Sequence, residues 1–197
     1  MGLDTDPERI FTAPRAAREL LFAKGWRRAH LLVRPALVED FAGIEPDDAA
    51  PPAVVLGDLG EETTFTRLNH AFRLLLEGAE LVTLARNRYY KSADGLRLDQ
   101  GPFAAALEYA SGRAATLVGK PSLQFFGSAL AALGVPASAA AVVGDDLESD
   151  VGGGQMAGMR GVLVRTGKFR EGDVERSAVR PDAVIDSVAD LPALLAD

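Results

Sequence analysis

Four carboxylates fall within the ten residues Ala141-Val142-Val143-Gly144-Asp145-Asp146-Leu147-Glu148-Ser149-Asp150 of this 197-residue chain. An apolar run delivers a glycine and then acids, the pattern of a buried strand ending in carboxylates. Open α/β sheets bind ligands at the carboxyl ends of their strands, so Asp145, at the strand tip, stands where function concentrates. Asp150 falls at the start of the following helix, where the helix dipole favours a carboxylate that can also cap it. Hard oxygen ligands in that place suit magnesium. The same acids also describe a solvated turn with one helix cap, and by themselves they leave both readings open.

A sheet must position those acids, and the rest of the chain reads as one. Short apolar runs alternate with helix-period segments, which predicts a parallel sheet flanked by helices and places the protein in the α/β class. A helix is expected over residues 15–24, begun by Pro14 and stopped by Gly25, with a strand at 30–33. The acidic, proline-rich Glu45 to Pro52 reads as a surface connection. A strand at 53–56, a helix over 63–77 and a strand at 81–85 make one βαβ unit. Residues 89–91 and 96–98 flank an Asp94-Gly95 pair that favours a tight hairpin. Helices over 103–110, 122–133, 151–158 and 188–195, with strands at 115–118, 140–143, 161–165 and 183–185, complete the pattern.

Composition removes several function classes. The net charge of -7 carries no basic stripe, so the chain lacks the phosphate-neutralising surface of a nucleic-acid binder. There is no cysteine, which excludes disulfides, thiolate metal sites and cysteine nucleophiles. A histidine-based zinc site or a serine-histidine-aspartate triad would have to rest on His30 or His70. The first opens an apolar run and the second sits mid-helix, so both read as core or surface residues. No run approaches the roughly 18 apolar residues of a membrane span and no leader pattern opens the chain, which predicts a cytoplasmic protein without a membrane partner. Gly152-Gly153-Gly154-Gln155-Met156-Ala157 matches a dinucleotide fingerprint by letter, but it follows Asp150 instead of the strand, and no acid ends the next strand at Arg165.

The stretch GDDLESDVGGGQMAGMRGVLVRTGKF resembles the fourth motif of the haloacid dehalogenase superfamily followed by the A-G-M and T-G-K elements of its class II phosphatases. Upstream, Val118-Gly119-Lys120-Pro121-Ser122 is similar to that class's third motif, with an amphipathic helix after it. Gly60 to Leu76 and Arg86-Asn87-Arg88-Tyr89-Tyr90-Lys91 resemble its α/β cap. Within class IIA, RNRYYKSADGLRLDQGPF and the closing motif are similar to the phospholysine phosphohistidine inorganic pyrophosphate phosphatases and their relatives. The resemblance implies a partial Rossmann-like core with an inserted class II cap: a remnant of core at 1–13, the cap at 14–114 and the C-terminal half of the core at 115–197. It implies a Mg2+-dependent phosphatase acting on a small phosphomonoester or phosphoamide through a phosphoaspartate. Asp145 and Asp150 would hold the metal and Lys120 would be catalytic, its ammonium balancing charge on the transferred phosphoryl group. Asn87 and Arg88 would face substrate from the cap, although a polar rim on a hairpin explains them as well.

One part of the family pattern is missing. Its nucleophile is the first aspartate of a D-x-D-G-T motif at the end of an apolar strand. Here Asp4-Thr5-Asp6 follows only three residues and precedes Pro7-Glu8, and Asp58 follows a better strand but in cap-like surroundings. Residues 3–20 instead resemble the family segment just before the cap. The expectation is therefore an impaired enzyme, from a truncated gene, a late start or a missing half supplied by a partner chain, with a non-catalytic binding module as the alternative. A strand at 140–143 deprived of its neighbour should expose an edge, which predicts low solubility or a homodimer.

Overall fold

The computed structural model describes residues 10–92 and 95–196. It divides into two compact units, one over Phe11–Gly119 and one containing Lys120–Asp197. Asp4 and Asp6, and the hairpin residues Ala93 and Asp94, lie outside the described residues.

The first unit opens with α1 (Ala13–Ala23), whose N-cap Thr12 accepts the Arg15 amide at 3.3 Å. This satisfies one of the orphan N–H groups that every helix start exposes. Strand β1 (Arg28–Leu32) follows, then a 3-10 segment over Pro35–Phe41, the two-residue β2 (Glu45–Pro46) and β3 (Ala53–Leu56). Helix α2 (Phe65–Leu76), capped by Thr64, leads to β4 (Glu80–Thr83). The exposed antiparallel hairpin β5 (Tyr89–Ser92) and β6 (Gly95–Leu98) comes next, then α3 (Gln100–Ser111) and β7 (Thr116–Leu117). The strands other than the hairpin form a parallel sheet in the order β2-β1-β3-β4-β7. Central β3 is buried at every residue, as an apolar run covered on both faces should be. Leu74, Leu75 and Ala71 of α2 and Ala104 and Leu107 of α3 pack with Leu32, Val54, Leu56 and Leu81. Each fully buried leucine contributes about 1.5–3 kcal/mol.

Two features of this unit depart from the sequence expectation. Pro46 begins no structureless connection: Glu45–Pro46 pairs in parallel with Arg28–Ala29 through backbone groups, which composition does not encode. The strand near 115, expected to open the core, pairs instead with β4 through Thr116 and Leu117, so the sheet of the first unit runs to that point.

The second unit begins at Lys120, whose peptide to Pro121 is cis. Ser122 caps α4 (Leu123–Leu133), accepting the Phe125 amide at 3.2 Å, and Gly134 ends it with φ +68°. Then come β8 (Ala141–Gly144), a π-helical turn over Leu147–Gly152 continued by α5 (Gly153–Met156), and β9 (Arg160–Val164). Short α6 (Asp173–Arg176), β10 (Ala183–Ile185) and α7 (Leu191–Ala196) close the chain. The sheet order is β10-β9-β8, all parallel. Leu147, Val151 and Leu163 are its buried cluster, with Phe169, Val174 and Val179 packed against them. Strand β8 is the last of this sheet: among the described residues no strand pairs with its outer edge, Ala141 is exposed and Val142 to Gly144 are half-buried.

The glycine run after Asp150 has a packing role. A Cβ on Gly153 would meet the Phe126 ring at 2.6 Å and Pro121 at 2.9 Å, and one on Gly154 would meet Val142 at 2.2 Å. These glycines let the helix start lie directly on β8 and on the opening of α4, which is why they mimic a nucleotide fingerprint without its position.

Candidate active site

Strand β8 carries its acids to the carboxyl end of the sheet, and the backbone then turns sharply into the π-helical segment. Asp146, not Asp150, caps that segment: its Oδ1 accepts the Ser149 amide at 2.9 Å. The helix starts four residues earlier than the glycine-rich run suggests, so Asp150 falls inside its first turn and is buried, with its side chain 8% exposed. A carboxylate so buried must be paired. Its Oδ1 accepts the Lys120 ammonium at 2.6 Å, and its Oδ2 accepts the Asp146 amide at 3.2 Å. Lys120 itself is about half-exposed, so its ammonium is anchored on one side and open on the other.

Asp145 is held differently. Its Oδ2 accepts the backbone N–H of Lys168 at 2.6 Å, and among the described residues nothing donates to Oδ1. The Lys168 ammonium reaches Asp146 Oδ2 at 3.1 Å. Lys168 thus bridges two adjacent carboxylates with its main chain and its side chain. Burial alone would lower its pKa, but Asp146, Asp145 and Asp150 outweigh burial and hold the ammonium above the ordinary lysine value. Burial likewise opposes ionisation of Asp146, yet the Ser149 amide and Lys168 prevail and hold its carboxyl below the usual range.

Two glycines make room for these acids. A Cβ on Gly144 would lie 2.3 Å from Asp150 Oδ2, and one on Gly167, at φ +59°, would lie 2.0 Å from Asp145 Oδ2. The cluster borders a recess of about 340 Å3 lined by Asp145, Asp146, Glu148, Lys168, Arg176 and Ser177, with Asp173 and Leu147.

Of the residues singled out from sequence, Lys120, Asp145 and Asp150 belong to this one unit, and Lys120 and Asp150 are in direct contact. Asn87 and Arg88 belong to the other unit, in the loop between β4 and β5. There Asn87 accepts the Gly101 amide at 3.0 Å through its backbone oxygen, an approach that a Cβ on Gly101, 2.6 Å from that oxygen, would block. Arg88 is exposed, and neither residue lines the recess of about 350 Å3 formed in that unit by Asp58, Glu61, Thr63, Tyr90, Arg97 and Gln100 with their neighbours. Lys168 was missed as a site residue, although the T-G-K element contained it.

The donor set fits magnesium in part. Mg2+ takes oxygen ligands and is commonly held by one or two carboxylates, with waters and substrate phosphate completing the octahedron. Asp145 has an oxygen to give. Asp150 accepts one hydrogen bond on each oxygen, from Lys120 and from the Asp146 amide, and each oxygen keeps a second lone pair.

Known proteins resemble this chain along most of its length. Residues 117–191 match the family model described as HAD-hydrolase-like. Over 197 aligned residues the chain is 43% identical to the phospholysine phosphohistidine inorganic pyrophosphate phosphatase of Mus musculus, covering 99% of this chain and 72% of that protein. The chain belongs to the haloacid dehalogenase-like hydrolases. Among solved structures, the p-nitrophenyl phosphatase from Archaeoglobus fulgidus superposes with a TM-score of 0.91 at 29% identity, covering 98% of this chain and 77% of that one. The glycerol phosphate phosphatase of Mycobacterium tuberculosis, solved in complex with magnesium, does so with a TM-score of 0.86 at 27% identity, covering 96% and 60%. This haloacid dehalogenase-like chain therefore carries a phosphatase fold of class IIA, an α/β cap with part of a Rossmann-like core, and its relatives are named phosphatases.

Proposed function

We propose that this chain supplies the lysine and the metal-side carboxylate of a Mg2+-dependent phosphatase that hydrolyses a small phosphomonoester or phosphoamide. The observation that carries the reading is the Lys120–Asp150 pair beside an Asp145 whose Oδ1 receives no bond from the described residues. Asp150 fixes the ammonium by a charge-assisted hydrogen bond, leaving it little freedom to lose when charge develops nearby. Asp145 holds the cation, with Lys168 fixing the orientation of its carboxylate through Oδ2. Bound magnesium would polarise phosphoryl oxygens and offset their negative charge. Asn87 and Arg88 contribute to substrate reading from the cap.

The same reading makes turnover depend on a nucleophilic aspartate in a D-x-D-G-T context, and no such motif occurs in the sequence. Hydrolysis of p-nitrophenyl phosphate by this chain is expected to be at background. Adding a polypeptide that carries an apolar strand ending in D-x-D-G-T should raise it, and the gained activity should require Mg2+ and fall by more than about 100-fold in Asp145→Ala and in Lys120→Ala. Gained activity indifferent to Asp145→Ala would refute the assignment of the site. The second reading, a non-catalytic binding module, is favoured by the absence of a D-x-D-G-T motif from the sequence. Turnover by the unsupplemented chain that Asp145→Ala abolishes would remove it.

A further inference from the structure

The two histidines of the chain converge, although they are 40 residues apart in sequence. His30 lies on β1 and His70 on α2, and their rings meet edge to face with centroids 5.0 Å apart. Asp48, in the loop after β2, places its Oδ1 2.6 Å from His30 Nδ1. We propose that these three residues form an acid-sensitive latch: with both imidazoles neutral they join β1, the loop after β2 and α2, and protonation releases the joint and loosens the first unit.

The two ring nitrogens of His30 have opposite surroundings. A carboxylate only accepts, so the ring proton sits on Nδ1 and is donated to Asp48. Nε2 is buried without a hydrogen-bond partner among the described residues, on a side chain that is 11% exposed. In the neutral ring that atom carries a lone pair. A second proton would turn it into a buried cationic N–H with no acceptor, and an unsatisfied charged group costs more than an unsatisfied neutral one. Asp48 does not offset this, because it already bonds Nδ1 in the neutral state and is itself 78% exposed, where solvent screens its charge. Relief comes when the ring reaches water, which requires β1, the Asp48 loop and α2 to part.

The charges around the ring act in the same direction. From α2, His70 faces it and gains positive charge as the pH falls, and Arg67 stands one helical turn earlier with its guanidinium on Glu62 and on the Val33 carbonyl. Strand β3, paired with β1 from His30 to Leu32, brings only apolar side chains. Asp47, beside Asp48, is engaged by Arg28 and by the Ala49 and Ala50 amides. Burial, the largest influence, outweighs Asp48 and holds the His30 pKa below the ordinary value, with His70 and Arg67 adding to the depression. Between the two values the unfolded chain binds a proton that the folded chain does not. The contribution of His30 to stability is therefore complete above the ordinary histidine value of about 6.5 and is lost as pH falls below it towards the folded value. Carboxylates ordinarily titrate about two units lower, which keeps this window clear of them.

Trp26, the one tryptophan of the chain, precedes β1 in the same unit, so its fluorescence follows the unfolding of that unit. Urea titrations of the full chain read in this way should give a lower midpoint at about pH 5.5 than at about pH 7.5. The drop should vanish in His30→Gln and shrink in His70→Gln. Asp48→Ala, at an exposed position, should lower the midpoint at about pH 7.5 by leaving Nδ1 without its partner. If His30→Gln does not fold, nitrogen-detected NMR of the two imidazoles in the parent chain decides: His30 should carry its proton on Nδ1 and titrate below about pH 6.5. Equal midpoints at the two pH values in the parent chain, an undiminished drop in His30→Gln, an unchanged neutral midpoint in Asp48→Ala, or a His30 ring titrating above about pH 6.5 would overturn the latch.

Discussion

The two sheets of this protein are built from the same kind of strand but finished differently. In the first unit β3 has parallel neighbours on both sides and is buried throughout, and its apolar run is enclosed by α2 and α3. In the second unit the corresponding centre is β9, buried from Gly161 to Val164, while β8, which carries the acids, is the last strand and stays partly exposed. Stability and chemistry thus sit in different places. Among the described residues the well-enclosed sheet ends in no acid run like that at 145–150, and the acid cluster follows a strand whose outer edge no described strand pairs. An edge of unpaired N–H and C=O groups is a template for another strand.

Substitutions can break or sharpen this contrast. The largest effect is expected for Leu75→Ala, a leucine with no exposed surface in the first unit. It should cost about 2–5 kcal/mol in denaturant titrations. If the two units unfold independently, the loss will fall on one transition only, and a single shared transition would break the comparison. Gly144→Ala should follow, because its new Cβ must displace the buried Asp150 carboxylate. A loss of about 1–3 kcal/mol is expected, read by thermal unfolding. An unchanged midpoint would mean that Asp150 is free to move.

The edge itself is tested by Ala141→Lys, an exposed position on β8. A charge there should discourage strand addition, so sedimentation should show less self-association than in the parent chain. A parent chain that stays monomeric at high concentration would show that the edge is not used. The smallest effect is expected at Asp182, whose carboxylate accepts the Gly161 amide at 2.7 Å and Gln155 Nε2 at 3.0 Å. The Gly161 amide, followed by Gln155, holds its pKa below the ordinary value. The unfolded chain therefore binds the proton more readily, and this contribution is present above about pH 4 and lost as pH falls through the lower folded value. Asp182→Asn should flatten that acid-side loss in unfolding curves of the second unit.

What the sequence disclosed depended on where the signal was written. The strand Ala53–Leu56 was legible residue for residue, since Pro52 and Gly57 bracket an unbroken apolar run. The strand at 183–185 was equally plain. The pairing of Glu45–Pro46 was hidden, because backbone hydrogen bonds hold it and its side chains are exposed. At the site, the acids were read from their place after the strand and Lys120 from its resemblance to the family's third motif, but the contacts among them were not legible. Asp146 caps the helix and Asp150 sits buried beneath Lys120 only because the segment starts with a π-helical turn, and helical periodicity gives no sign of such a turn. Lys168 escaped for a different reason: its link to Asp145 uses a backbone N–H that any residue at that position could offer. The histidine pair shows the same limit, as residues on β1 and α2 meet only once the sheet has formed.

The tight space between Gly144 and Asp150 makes these two positions hereditary partners. A Cβ at 144 would meet the Asp150 carboxylate at 2.3 Å and the Asp150 Cβ at 2.4 Å, so any side chain at 150 keeps that space closed. Were Asp150 to drift to alanine, Lys120 would lose its anchor while Gly144 stayed constrained by the remaining Cβ, and only glycine at 150 would release it. Glycine retained at 144 in a divergent relative would then report that position 150 still carries a side chain, and a double-mutant cycle of Gly144→Ala with Asp150→Gly should show strong, non-additive coupling between them.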